Sequence, residues 1–329
     1  MAGSQERVLR RRIRSVASTQ KITRAMELIA ASRIVRAQQA IAAARPYVRK
    51  MREVVEHLSD TPDAATHPLF REVEAPQRVA IILITADRGL AGGYNVQIFR
   101  TVERLIREYR AAGREVQLLP FGKKGDNHFR RRNYPIITSI TGISERPTYA
   151  DARKAVSAVM GPFEAGELDQ IELVYTRFAS LGSQVVTVRQ LIPLVRSEPE
   201  PARASDLGLA GQTVVGQGGP VLKTDYEYEP EPAEILDRLL PSWLVAEVLA
   251  ALLESAASEQ ASRQRAMKAA TDNADELIKN LRRVMNRARQ DAITTEIMEI
   301  VGGAEALRQA GSDVGGGIHE IFDTAAQSA

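Results

Sequence analysis

Apolar residues recur along the first 60 positions in alternating steps of four and three. Leu9, Ile13, Val16, Ala30, Ile34, Ala37, Ile41, Ala44, Val48, Met51, Val55 and Leu58 all fall on this frame, and only Gln20, Thr23 and Glu27 interrupt it. A heptad sustained this long predicts a coiled-coil helix rather than a helix lying on a globular core. At about 1.5 Å per residue it would run roughly 75 Å, with Pro46 kinking it or restarting a turn. A second frame occupies the other end of the chain, through Ala246, Leu249, Leu253, Ala256, Met267, Ala270, Ala274, Leu277, Leu281, Val284, Ala288 and Met298. Gln260, Arg263, Asp291 and Thr295 are its polar members. Two heptad helices at opposite ends of one chain bury their seams most cheaply against each other, as an intramolecular antiparallel coiled coil.

Between the frames the period changes. "RVAIILITA" reads as a buried strand, followed by the Gly-rich turn "DRGLAGGYN", an amphipathic helix "VQIFRTVERLIREYRAAG" and a second strand "EVQLLPFG", which together form a βαβ unit. A helix from Tyr149 to Phe163 and the strands "QIELVYTRF" and "SQVVTVRQLIPL" complete a Rossmann-like α/β domain. The expected fold is therefore α/β, with a long antiparallel coiled coil attached. The expected divisions are an N-terminal coiled-coil helix over 1–60, the central domain over 75–195, an acidic Gly/Pro-rich linker over 196–234, a C-terminal coiled-coil helix over 235–307 and a flexible tail over 308–329.

If the bend brings Leu58 near Ser242, the numbers of paired positions add to about 300 and Leu9 lies opposite Asp291. Residues from Ala292 onward then project past the first helix by some fifteen residues, on the order of 20 Å. Ile293, Ile297, Ile300 and Val301 carry the apolar stripe with them, and an exposed stripe of this length marks a binding surface.

Composition narrows the chemistry. The chain has 329 residues and no cysteine, which removes disulfides, thiol catalysis and cysteine metal sites, and its four histidines stand at no metal-ligand spacing. The formal charge of +3 is mild, yet nine basic residues and a single acidic one lie between Arg7 and Arg36. That cluster lacks interleaved aromatics, so a solvated face or an acidic protein partner fits it better than nucleic acid. The start, "MAGSQERVLRRR", has no apolar signal core, and the run "VAIILI" is too short to cross a bilayer. "TADRGLAGGYN" stands where a phosphate loop of a doubly wound sheet would stand. It has neither G-x-G-x-x-G spacing nor a Gly-Lys-Ser/Thr ending, and reads as a tight turn with no cofactor. Glu296 and Glu299 have no histidine or metal ligand near them in sequence to make them an acid/base pair.

Several long blocks are together recognisable: "RVLRRRIRSVASTQKITRAMELIAASRIVRAQ", "ARPYVRKM", "TADRGLAGGYN", "ESAASEQASRQRAMKAATDNADELIKNL" and "NRARQDAITTEIMEIVGGAEAL". In these blocks the chain resembles the γ subunit of bacterial F-type ATP synthase. The resemblance implies a non-catalytic central rotor shaft that couples proton flow to ATP synthesis by turning inside a hexamer of α and β subunits. The ε subunit and the ring of c subunits would be its other partners, and its location would be peripheral, on the cytoplasmic side of the bacterial cell membrane. It further implies that Met26, Arg263, Arg289, Gln290, Thr294, Glu296 and Glu299 contact the hexamer, beside the apolar Ile293, Ile297, Ile300 and Val301. A nucleotide-binding α/β enzyme with a coiled-coil oligomerisation module is the alternative reading.

Overall fold

The computed structural model describes residues 2–59, 67–71, 73–194 and 229–326, with side chains described between 5 and 307. Nine principal elements follow in order: α1 (Ala2–Ser59), β1 (Arg78–Ile84), α2 (Tyr94–Ala111), β2 (Glu115–Phe121), α3 (Lys123–Arg130), α4 (Tyr149–Glu164), β3 (Gln170–Phe178), β4 (Gln184–Ile192) and α5 (Pro232–Ala326). Both heptad segments are helices, and α1 continues as helix through Pro46. The expected linker lies mostly outside the described residues. The expected tail is corrected, because α5 stays helical to Ala326. Extending an existing helix adds one hydrogen bond per residue without a new nucleation cost, which offsets the roughly 1 kcal/mol penalty of each glycine.

Chain contacts divide the protein into two compact units. One joins Met1–Ala25 with Lys268–Ala329; the other is Met26–Met267. The division therefore cuts through both long helices instead of separating them from the central domain. The reason is burial: Leu236, Leu240, Leu244, Val248 and Leu252 of α5 share one core with Val55 and Leu58 of α1 and with the sheet. This part of α5 is long and apolar enough by composition to cross a membrane, but that window is 67% buried inside the protein.

Within the larger unit the strand order is β2-β1-β3-β4, parallel except for β4, which runs antiparallel to β3. Strand β1 is buried on both faces, as expected for the centre of a layered α/β sheet. Ala80, Ile82 and Ile84 point into the core formed with α4, α5 and α1. Val79, Ile81 and Leu83 point into the core formed with α2 and Phe129 of α3. Strand periodicity thus assigns alternate residues to two helical layers.

Local signals set the element ends. Thr148 and Asp151 form a reciprocal capping box at the start of α4: the Thr148 side chain accepts from Asp151 N, and the Asp151 carboxylate accepts from Thr148 N at 3.0 Å. Asp169 accepts backbone N–H groups of Gln77 and Arg78, both at 2.9 Å, and the Arg78 guanidinium at 3.0 Å, fixing the entry to β1. After β2, Gly122 has φ +86°, and a Cβ there would stand 2.2 Å from the Thr85 carbonyl oxygen. Only glycine fits that close approach.

Candidate interaction surface and the occupied crevice

In the smaller unit, α1 and α5 meet through a polar patch in an otherwise apolar seam. Gln20 Nε2 donates to Asp275 Oδ1 at 2.5 Å, and the Thr23 and Thr271 hydroxyls are 2.8 Å apart. Gln20 and Thr23 are two of the three residues that interrupt the first heptad. Beyond them the apolar seam resumes at Ile278 and Leu281, both buried. Polar residues at seam positions fix register, since a slipped pairing would strand each hydrogen-bonding group against an apolar neighbour.

These pairs correct the expected offset. Their numbers add to about 294 and 295 rather than to about 300, so Leu9 falls level with about residue 285. The earlier figure was extrapolated from an assumed bend, whereas the polar pins set the pairing locally. Helix α1 also begins earlier than Leu9, at Ala2. The two shifts offset each other, and Ala292 is the last half-buried residue of α5 before a wholly exposed run from 293 to 307.

That run carries the expected stripe. Ile293, Ile297, Ile300 and Val301 lie at i, i+4, i+7 and i+8, on one helical face, and each is at least half exposed, Ile300 the most at 66%. Met298 and Leu307 widen the apolar surface. Arg289, Gln290, Thr294, Glu296 and Glu299 are exposed on the same stretch of helix. The Thr294 hydroxyl donates back to the Gln290 carbonyl at 3.0 Å, and Thr295 does the same to Asp291 at 2.9 Å. These two hydroxyls are satisfied by their own helix.

Met26 and Arg263 belong to the other unit. Met26 is half-buried on α1. Arg263 is corrected as a contact residue: it is only 6% exposed, and its guanidinium pairs with Glu259 at 2.6 Å and donates to the Gly89 carbonyl at 3.3 Å. It spends its charge inside the chain. Glu259 is itself 1% exposed; burial pushes its carboxyl above the usual range, and the Arg263 charge opposes that shift.

At the sheet's carboxyl edge the loop after β1 is held by its own side chains. In an open α/β sheet, ligands enter the crevice at that edge and place phosphate on a helix N-terminus. Here Asp87 takes the position. Its carboxylate accepts Lys123 N at the start of α3 (3.0 Å), Gly142 N (2.8 Å) and Ser144 N (3.0 Å). Burial works against this charge, but the N–H donors outweigh it and hold the Asp87 carboxyl below the usual carboxylate range. Thr85 fills the next position, donating to the Phe121 carbonyl at 2.6 Å and accepting from Gly125 N at 2.9 Å. Asn95 at the start of α2 accepts from Ala86 N. Asp87 and Thr85 thus serve backbone donors at the start of α3 and in the loop that follows it. Among the described residues there is no His/Cys/Asp/Glu group that could hold a metal ion.

Sequence reasoning missed Asp87, whose partners lie 36 to 57 positions away. The Glu259–Arg263 pair was open to view, because the two residues are four apart on a helix and of opposite charge.

Comparison with known proteins agrees over nearly the whole chain. The model of a family described as ATP synthase matches residues 5–307. The ATP synthase gamma chain of Frankia casuarinae is 47% identical over 312 residues, covering 93% of this chain and 99% of that protein. Among solved structures, a chain of the Tetrahymena thermophila mitochondrial ATP synthase central stalk and c-ring is similar at 26% identity and TM-score 0.53, covering 76% of this chain and 99% of its own. A chain of the Euglena gracilis mitochondrial ATP synthase rotor has the same fold at 15% identity and TM-score 0.59, covering 88% and 99%.

Proposed function

The chain belongs to the ATP synthase γ family, and from that membership we propose how its exposed surfaces work. It is the non-catalytic central rotor subunit of an F-type ATP synthase, a membrane-associated complex. The finer reading is that the bare end of α5 turns inside a collar of α and β subunits, pressing their catalytic sites in turn through different conformations. Ile293, Ile297, Ile300 and Val301 would slide against an apolar lining. Arg289, Gln290, Thr294, Glu296 and Glu299 would form polar contacts beside them, and Met26 a further contact lower on α1. The central domain would meet the ε subunit and the c-ring on the cytoplasmic face of the bacterial membrane.

The single observation that carries this reading is the apolar stripe from Ile293 to Leu307, which α1 does not cover. An uncovered stripe on a helix held in register by polar pins is suited to a surface that moves: it resists wetting yet makes few hydrogen bonds that rotation would have to break. The alternative, a nucleotide-binding enzyme, is not favoured, because the relatives are ATP synthase gamma chains.

The test mixes the chain with α and β subunits of a related bacterial synthase and measures ATP hydrolysis after purification. Full-length chain is expected to assemble and stimulate turnover. Chain truncated at Asp291 is expected to assemble less well or deliver less torque while rotation survives, because the pinned seam remains. Unchanged assembly and torque would count against the stripe as a bearing surface.

A further inference from the structure

Helices α2 and α3 form one layer over the sheet, and its outer surface is strongly basic. Both bury one side in the same core: Ile98, Val102, Leu105 and Ile106 of α2 and Phe129 of α3 pack with the β1 residues Val79, Ile81 and Leu83. Their other sides therefore look the same way, out from the sheet. Phe99 stacks on His128 with ring centroids 3.9 Å apart and meets Phe129 edge-on at 5.8 Å, which locks the two helices together.

Helix α2 and residues 123–132 together carry nine basic residues and three acidic ones. Each acidic side chain already holds an arginine of the same layer. Glu108 holds Arg104 at 3.0 Å, Asp126 holds Arg130 at 2.7 Å, and Glu103 holds Arg132 at 3.6 Å together with His128 at 2.9 Å. Arg100, Arg107, Lys123, Lys124 and Arg131 are exposed, and none has an ion pair among the described residues. Arg100 and Arg107 stand seven apart on the outer lane of α2, while Lys123, Lys124 and Arg131 lie on the side of α3 opposite Phe129. The excess positive charge is thus unpaired and carried on rigid elements.

The kind of partner follows from what this surface lacks. A protein interface needs an apolar centre from which charges are depleted, and Val96 is the one large apolar side chain exposed on α2 or α3. A field of anionic headgroups needs no such centre. It is held by lysines and arginines spread over a surface, each adding about fivefold to binding.

We propose that the α2/α3 face binds the anionic phospholipid headgroups of a membrane surface, with Arg100, Arg107, Lys123, Lys124 and Arg131 as its contacts. The proposal deepens the membrane-associated reading above, on which it rests for the place where such a surface is met. It uses no residue of the bare stripe.

Co-sedimentation of the full-length chain with vesicles of phosphatidylglycerol and phosphatidylcholine in equal parts tests it. Binding to the mixed vesicles, little binding to pure phosphatidylcholine, and weakening as salt rises are expected. The triple variant Arg100→Gln/Arg107→Gln/Arg131→Gln should weaken binding at least about tenfold. Arg11→Gln/Arg12→Gln/Arg14→Gln removes the same charge from the other unit, off this face, and should change binding by less than about threefold. Thermal melts check that each variant is folded. No binding to the mixed vesicles, equal binding to pure phosphatidylcholine, or equal losses from the two triple variants overturns the proposal. Binding to soluble polyglutamate without binding to vesicles also overturns it, and assigns the face to an acidic protein. Failure of vesicle binding with assembly onto α and β subunits intact removes this inference alone, whereas failed assembly removes the rotor reading.

Discussion

The hydroxyls of Thr23 and Thr271 meet 2.8 Å apart between antiparallel helices α1 and α5, one helical turn from the Gln20–Asp275 pair. Replacing one threonine by valine leaves the other hydroxyl facing a methyl group. Either Thr23→Val or Thr271→Val should cost about 1–2 kcal/mol, and the double variant should cost less than the two added together. A double-mutant cycle by chemical denaturation measures the coupling, and strict additivity would show that the pair is not a pin.

Gly122 gives a prediction about backbone strain. Gly122→Ala must place a methyl group 2.2 Å from the Thr85 carbonyl oxygen at φ +86°. A loss of about 3 kcal/mol or more is expected, against about 1 kcal/mol for Gly113→Ala, where φ is +77° and the space is open. Thermal unfolding of the two variants side by side separates the close approach from the left-handed backbone alone.

The buried ion pair behaves differently from a surface one. With Arg263→Met, Glu259 loses its guanidinium partner at 1% exposure. A destabilisation of about 3–5 kcal/mol is expected, with part of it recovered in the double variant Glu259→Met/Arg263→Met. Denaturant midpoints check this, and a double variant as unstable as the single would mean that the pair adds more than its own neutralisation.

Asp87 and Asp169 predict acid sensitivity. The Asp87 carboxyl is half-buried, which raises it, yet donors from Gly142, Ser144 and Lys123 lower it below its ordinary value; for Asp169 burial is likewise outweighed, by Arg78 and the Gln77 backbone. A depressed folded-state value means that the folded protein binds fewer protons than the unfolded chain near pH 4. The stability these groups supply is therefore complete above about pH 4 to 5 and is lost as pH falls through their folded-state values. Glu172 and Glu259 act in the opposite sense, since burial raises both. Denaturation of Asp87→Asn against the unmodified chain from pH 7 to pH 3 should show a gap that narrows on acidification. A gap independent of pH would remove the charge from the explanation.

Much of the architecture was legible along the chain. The heptad of α1 survives in the burial of Ala30, Ile34, Val48, Val55 and Leu58, and the strands "RVAIILI" and "QIELVYTRF" appear as β1 and β3. Periodicity is a local property: each side chain's direction follows from the backbone geometry of its own element. The bare stripe of α5 was legible for the same reason, because helix length and apolar spacing can be counted.

What was not legible depended on which groups meet across the fold. The resemblance implied a contact role for Arg263, whose position on the seam says nothing of its partners; the structure turns it inward onto Glu259 and Gly89. The helical offset failed when extrapolated from a bend and was decided by Gln20, Thr23, Thr271 and Asp275. The linear order of residues determined two coiled-coil helices, a central α/β domain and an uncovered apolar stripe, all consequences of short-range repeats. Only the tertiary structure decided the register of the seam, the burial of the first turns of α5 in the domain core and the filling of the sheet-edge crevice by Asp87. Those outcomes rest on hydrogen bonds and packing between groups far apart in sequence, whose geometry no local repeat encodes.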